Sequence, residues 1–216
     1  METTFRLGNI GVAGELARIH MESGKLQPGC FMTKLGKPFL REYYRTIILA
    51  KSTLILCAEQ DGRLVGFVSG TMRAEERMLG LRSRRFRLAL AALPSVVRHP
   101  GLLREAYARQ NSGSVETGPG YIVQSGPREE YWAWCGPRSS GSVDMHTRWL
   151  AIMKTLGART VKGEFDRVNA TVEKIHSLLG GRFVKEFSTP DGRRRVIVEY
   201  TLSGPQAKKM TVSSAQ

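Results

Sequence analysis

Acidic residues are scarce in this chain. Against 33 lysines and arginines stand 19 aspartates and glutamates, a formal net charge of +14 over 216 residues. Such a surplus disfavours cationic partners and points to a polyanion: a phosphorylated cofactor, a nucleic acid or an anionic membrane face. Cysteine is scarcer still. Cys30, Cys57 and Cys135 lie far apart, with no CxxC and no Cys/His ligand spacing, which argues against a zinc site. Cys57 and Cys135 sit in apolar, strand-like runs and are expected as buried thiols. No apolar run approaches the roughly 18 residues that span a bilayer. The N-terminus METTFRLGNIG lacks the charged-then-apolar pattern of a secretory signal. A cytoplasmic protein is expected. Repeats and long low-complexity segments are missing too.

What is present is ordinary for a globular protein: 41% hydrophobic and 24% charged residues, in a chain long enough for one domain with a substantial core. Thr4 to Leu7 reads as a short strand. Val12, Leu16 and Ile19 recur at helical spacing up to Ser23-Gly24, and Leu40, Tyr43, Tyr44, Ile47 and Ile48 mark a second amphipathic helix. Thr53–Ala58 and Leu64–Gly70 are strands joined at Asp61-Gly62, a strong hairpin signal. After residue 130 comes a strand, Glu130-Tyr-Trp-Ala-Trp-Cys135, then a turn, Arg138-Ser-Ser-Gly-Ser-Val143. A helix follows through Trp149, Leu150 and Met153, a strand over Thr160–Phe165, and a helix opening at Asn169 and running to Leu179. Arg182–Ser188 and Arg195–Leu202 form a last hairpin around Pro190-Asp-Gly192, and the tail 205–216 is polar. If the Glu130 strand is regular, Trp132 and Trp134 share the face of Glu130, while Tyr131, Ala133 and Cys135 face the other way.

Residues 73–118 break this pattern. Nine arginines and no lysine lie between Arg73 and Arg109, against Glu75, Glu76 and Glu105. An apolar run, Leu88-Ala-Leu-Ala-Ala-Leu93, is followed by Pro94 and Pro100. Two or three short helices bent at the prolines are expected, then a Gly/Ser/Pro loop with a short strand at Tyr121-Ile-Val. Three roles remain open for the basic segment: a solvated helix face, a lid offering guanidiniums to an anionic acceptor, or an in-plane membrane contact over residues 82–104. Aromatics are barely interleaved with the arginines, which argues against nucleic acid.

The strand, Gly-containing turn and helix over 130–155 place backbone N–H groups at a helix N-terminus just after a strand, where they can hold phosphate. Arg138-Ser139-Ser140-Gly141-Ser142-Val143 resembles the pyrophosphate loop of the GNAT superfamily of N-acetyltransferases, with Val143 in the place of a small residue and Asp144 after it. Asn169, Val172, Ile175, His176 and Gly180 follow the same family's Asn-x-x-Ala-x-x-Phe-Tyr-x-x-x-Gly pattern, with His176 at the Tyr place. The resemblance implies an α+β fold (an α/β sandwich): a mixed, mostly antiparallel central sheet, helices on both faces, and here a helical insertion between the third and fourth strands. It implies one acyltransferase-like domain over 1–204.

It also implies acyl transfer from acetyl-CoA, or another acyl-CoA, to a small amine by direct attack, with no metal. Glu130 is the expected base and His176 the acid for the leaving thiolate. A backbone N–H of the fourth strand would hold the oxyanion. Cofactor contacts are expected at Trp134, Cys135, Arg138, Ser139, Ser140, Gly141, Ser142, Val143 and Asn169. His20, Tyr43 and Tyr44 are expected in the acceptor pocket, where an amino sugar or sugar nucleotide fits. The other reading is a fold without catalysis that binds a membrane surface or nucleic acid through its arginines. On either reading the protein is cytoplasmic, with a peripheral contact to the inner membrane face left open.

Overall fold

The computed structural model describes residues 2–25, 30–112, 125–137, 140–189 and 192–203. The expected strand at 121–123, Arg138 and Ser139, the Pro190-Asp191 pair and the 205–216 tail lie outside the described residues.

The first half runs β1 (Thr4–Leu7), α1 (Ala13–Gly24), α2 (Phe31–Lys34), α3 (Gly36–Ile48), β2 (Thr53–Gln60) and β3 (Arg63–Thr71). Three helices follow: α4 (Ala74–Ser83), α5 (Arg85–Arg98) and α6 (Gly101–Ser112). Then come β4 (Arg128–Trp134), α7 (Gly141–Thr155), β5 (Thr160–Asp166), α8 (Ala170–Leu178), β6 (Arg182–Ser188) and β7 (Arg194–Thr201). The strands form a seven-stranded sheet in the order β1-β2-β3-β4-β5-β7-β6. All neighbours are antiparallel except β4 and β5, which are parallel. The expected α+β architecture, with its helical insertion between the third and fourth strands, is the one observed.

Local chemistry accounts for the elements. Asp61 (φ 49°) and Gly62 (φ 71°) both take positive φ and close the β2–β3 hairpin as anticipated, a turn whose twist matches the flanking strands. One face of the sheet packs on α7 through Leu54, Leu56, Val68, Trp149, Leu150 and Met153. The opposite face packs on α1 and α3 through Leu16, Ile19, Leu40, Tyr44, Ile47 and Phe67. Trp149 is fully buried and donates its indole N–H to the Leu54 carbonyl at 3.2 Å. Its ring would lie 2.3 Å from a Cβ at residue 70, so only Gly70 lets α7 approach β3 this closely.

Two expectations need correction. Pro94 lies inside α5 without breaking it; the breaks come at Arg84 and at His99-Pro100. The helix survives because proline's cost includes an orphaned carbonyl four residues back, and Leu90 is 72% exposed, where water can take that bond. Cys57 is buried as expected, but Cys135 is exposed, because it falls just past the end of β4.

Candidate active site at the β4–β5 divergence

The parallel pair β4–β5 is joined at a single register position, Arg128 against Lys162. Arg128 opens β4, so the two strands diverge along the rest of it. On its other side β4 stays bonded to β3, and the Cys135 amide donates to the Val65 carbonyl at 2.7 Å. Amides alternate in direction along a strand, so the N–H groups of Trp132 and Trp134 turn toward the divergence. These are the kind of unpaired donors that can hold a carbonyl oxygen or an extended amide chain.

The β3–β4 register slips between Ser69 and Gly70: Ser69 faces Tyr131 and Gly70 faces Glu129, leaving Glu130 as the extra residue of a bulge. The bulge overturns the expected alternation. Glu129, not Glu130, shares the α7 face with Trp132 and Trp134. Glu130 turns to the α3 face together with Tyr131.

On the α3 face, Glu130 Oε1 lies 2.7 Å from Arg77 Nε and 3.3 Å from Arg128 Nε. The Glu130 carboxylate is thus held, buried, between two guanidinium groups. Arg77, brought by α4, also points a guanidinium N–H at the Tyr43 hydroxyl, 3.4 Å away. The ion pairs continue across the sheet, Arg128 to Glu164 at 3.3 Å and Glu164 to Arg195 at 3.0 Å. Deeper on this face, His20 Nδ1 lies 2.7 Å from the Tyr44 hydroxyl and its ring stacks on Tyr131, centroids 3.7 Å apart. Burial pushes His20 down to about 3 and raises the Tyr44 hydroxyl well above its ordinary range. His20 is therefore a neutral ring at physiological pH.

On the α7 face, Glu129 Oε2 bonds His146 Nε2 at 3.0 Å. A Cβ at residue 163 would stand 3.2 Å from the same oxygen, so Gly163 of β5 makes the room for it. Burial pushes the Glu129 carboxyl up, but the charge and hydrogen bond of His146, with His176 beyond, leave it below its ordinary value. His176 is hydrogen-bonded through Nδ1 to the Tyr200 hydroxyl and stacks on Phe165. Burial lowers it to about 4. One ligand atom each of Glu129, His146 and His176 lie within 4.8 Å of one another, a set that could hold a divalent ion only by opening the Glu129–His146 bond.

At the end of β4 the chain turns into α7. Ser140 occupies the N-cap position, but its side chain caps nothing. Ser142 Oγ instead accepts the Trp132 indole N–H at 3.1 Å. The 15-residue helix α7 thus begins beside a diverging strand pair, and a helix N-terminus is suited to a phosphate group.

No protein-family model matches the sequence, and no curated protein does. Solved structures do. The N-acetyltransferase PaiA of Thermoplasma acidophilum, in complex with coenzyme A, superposes with a TM-score of 0.57 at 14% identity over 93% of this chain and 99% of that one. An aminoglycoside 6'-acetyltransferase type Ii gives 0.57 at 9% identity over 93% and 98%, and a GNAT-family acetyltransferase of Bacillus cereus 0.56 at 7% over 93% and 98%. The chain has the GNAT acetyltransferase fold.

Within that fold the expected residues are only partly brought together. Glu130, Tyr43 and, deeper, Tyr44 and His20 share the α3 face. His176 lies on the opposite face with Trp132, centroids 5.8 Å apart. Trp134 hydrogen-bonds the Pro137 carbonyl at 3.0 Å, and Gly141, Ser142 and Val143 open α7. Asn169 caps α8, its side chain accepting from the Val172 amide at 3.2 Å. Arg138 and Ser139 lie outside the described residues.

Five residues escaped the sequence reading. Nothing marked Arg77 among the arginines around it. Tyr131 was expected on the face opposite Glu130, and Arg128 lay before the expected start of the strand. His146 had a faint signal, a histidine between the apolar Met145 and Trp149 on a helix that must bury that face. Tyr200 had none.

Proposed function

We propose that this protein is an acyl-CoA-dependent N-acyltransferase, acetyl being the default donor, acting as one unit over residues 1–204. The observation that carries the reading is the β4–β5 pair, held at Arg128–Lys162 and open beyond it, next to the N-terminus of α7. The acyl-CoA supplies the thioester carbonyl. Ser140 to Val143, with Arg138 and Ser139, are the residues for its diphosphate, and the Trp132 and Trp134 amides are donors for the pantetheine and the oxyanion.

Glu130 is the base of this reading. Its carboxylate lies on the α3 face, on the side of Tyr43, held by Arg77 and Arg128, and would accept the amine's proton directly or through water. His176, lowered to about 4, is a neutral ring and not an imidazolium at neutral pH. With the Tyr200 hydroxyl donating to Nδ1, its remaining N–H is a hydrogen-bond donor that would ease departure of the thiolate. Between Tyr43 and Arg77 the acceptor side offers an aromatic wall and a cation, which fits a small amine carrying hydroxyls or phosphate, such as an amino sugar or sugar nucleotide.

Calorimetric titration with acetyl-CoA, on wild type and on Gly141→Glu, tests the cofactor site. Micromolar binding lost in the variant, with its circular dichroism unchanged, supports the reading. A second reading stays open because Asp144 sits in the first turn of α7, where its charge opposes phosphate. Wild type that does not bind acetyl-CoA, and releases no coenzyme A with a panel of amines, would favour a non-catalytic module.

A further inference from the structure

Helix α5 has two apolar faces, and only one is used by the fold. Its inner row, with Ala92 and Val96, packs against Leu35, Phe39 and Leu102, and Ser95 Oγ donates to the Leu35 carbonyl at 2.9 Å. Gly36 takes φ 87° beside that serine, and a Cβ there would meet Ser95 Oγ at 2.8 Å, so α5 is pinned at the start of α3. The outer row is Phe86, Leu90, Leu93 and Val97, exposed by 76%, 72%, 50% and 70%. The spacing of four, three and four places these four side chains on one stripe. Single exposed apolar residues are commonplace, but a continuous row of four on one helix marks a contact surface. Arg87 and Arg98 border the stripe, and α5 contains no acidic residue.

The stripe meets a cationic groove. Between α3 and α5 lies a groove of about 640 Å³, with Lys37, Arg41, Arg45 and Arg87 around it and Leu90 in its wall. Its one acid is Glu42, 4.0 Å from Arg45. Among the described residues, Lys37, Arg41 and Arg87 have no acidic partner within 4.0 Å. Leu90 belongs to both features, so a bound group would meet cations and an aliphatic row side by side.

We propose that the outer face of α3 and α5 docks on an anionic phospholipid bilayer. The Phe86–Val97 stripe enters the boundary between headgroups and acyl chains, and Arg41, Arg45, Arg87 and Lys37 hold lipid phosphates. Guanidiniums bind phosphate oxygens in pairs, and an in-plane helix needs this combination of an aliphatic row and flanking cations. The contact is peripheral, since no helix among the described residues is long and apolar enough to cross a membrane. A nucleic acid would use the cations but has no use for the aliphatic row. This proposal does not depend on the acyltransferase reading.

The test is flotation of the full chain with vesicles of phosphatidylglycerol and phosphatidylcholine in equal parts, against phosphatidylcholine alone. The wild type is expected on the anionic vesicles only, less so as salt is raised. Arg41→Glu with Arg87→Glu is expected to lower partitioning by roughly tenfold or more. Phe86→Ser with Leu90→Ser is expected to lower it by roughly the same factor. All four side chains are exposed, so circular dichroism should be unchanged. Tryptophan emission of Leu90→Trp should shift to the blue when anionic vesicles are added. Failure of wild type to float with the anionic vesicles overturns the proposal. So does flotation that ignores the Phe86→Ser, Leu90→Ser pair, or displacement of the protein from vesicles by a short DNA duplex with no effect of those two substitutions. Acetylation activity is scored separately, so its absence leaves the flotation result standing.

Discussion

Glu129 and Glu130 are neighbours of the same chemistry, and the fold gives them opposite surroundings. Glu129 points at α7, sealed among His146, His176 and Gly163. Glu130 points at α3, held between Arg77 and Arg128. A regular strand would also have sent them to opposite faces, but with the assignments exchanged. The bulge decides which one meets His146 and which one meets the two arginines. The lesson is that a carboxylate's partners follow from the face it is given, and one inserted residue decides that face.

Breaking the buried side should have the largest effect. Glu129→Ala leaves His146 in the core without its partner and is expected to lower stability by about 3 kcal/mol or more, read from urea denaturation. A change within experimental scatter would show that the Glu129–His146 pair contributes nothing to the fold. Breaking the other side should act on rate. Glu130→Gln is expected to reduce kcat by roughly 100-fold with a smaller shift in the melt than Glu129→Ala. Wild-type turnover by this variant would remove Glu130 as the base.

Acid sharpens the comparison between the two histidine pockets. His176 and His20 have folded values of about 4 and about 3, both below the ordinary 6.5. On acidification the unfolded chain takes up protons first, so stability is complete above 6.5 and is lost as pH falls toward 4, then 3. The melting temperature should fall steadily through that window; a flat profile would mean that the rings protonate without cost. The smallest effect expected is that of Tyr44→Phe, which removes the hydroxyl bonded to His20 and should cost about 1 kcal/mol in thermal or chemical denaturation. A larger loss would show that the His20–Tyr44–Tyr131 group acts as one cooperative unit.

Much of this arrangement was legible in the residues. The helix periodicity of Leu40 to Ile48, the Asp61-Gly62 hairpin and the strand-turn-helix over 130–155 are local patterns, because each depends on neighbours within a few positions. The strand–loop–helix order around Gly141 and Asn169 pointed to the right fold for the same reason. The faces of β4 were not legible: period-two alternation cannot report a residue that the partner strand does not match. The cluster of His146, His176 and Tyr200 was equally hidden, since its members come from two helices and a strand and meet only once the sheet is assembled.

The sequence by itself determined which segments become helices and strands, the order in which they follow, and the basic character of the insertion. Backbone propensity and side-chain periodicity act over a few residues, and net charge is a sum that folding does not change. Only the tertiary structure decided that Glu130 turns toward the α3 face, that Cys135 reaches solvent, and that α5 keeps Phe86, Leu90, Leu93 and Val97 outside. Each of these depends on which neighbour arrives to pack or pair against the element. That is a competition among distant segments, settled by the area they bury and the polar groups they satisfy.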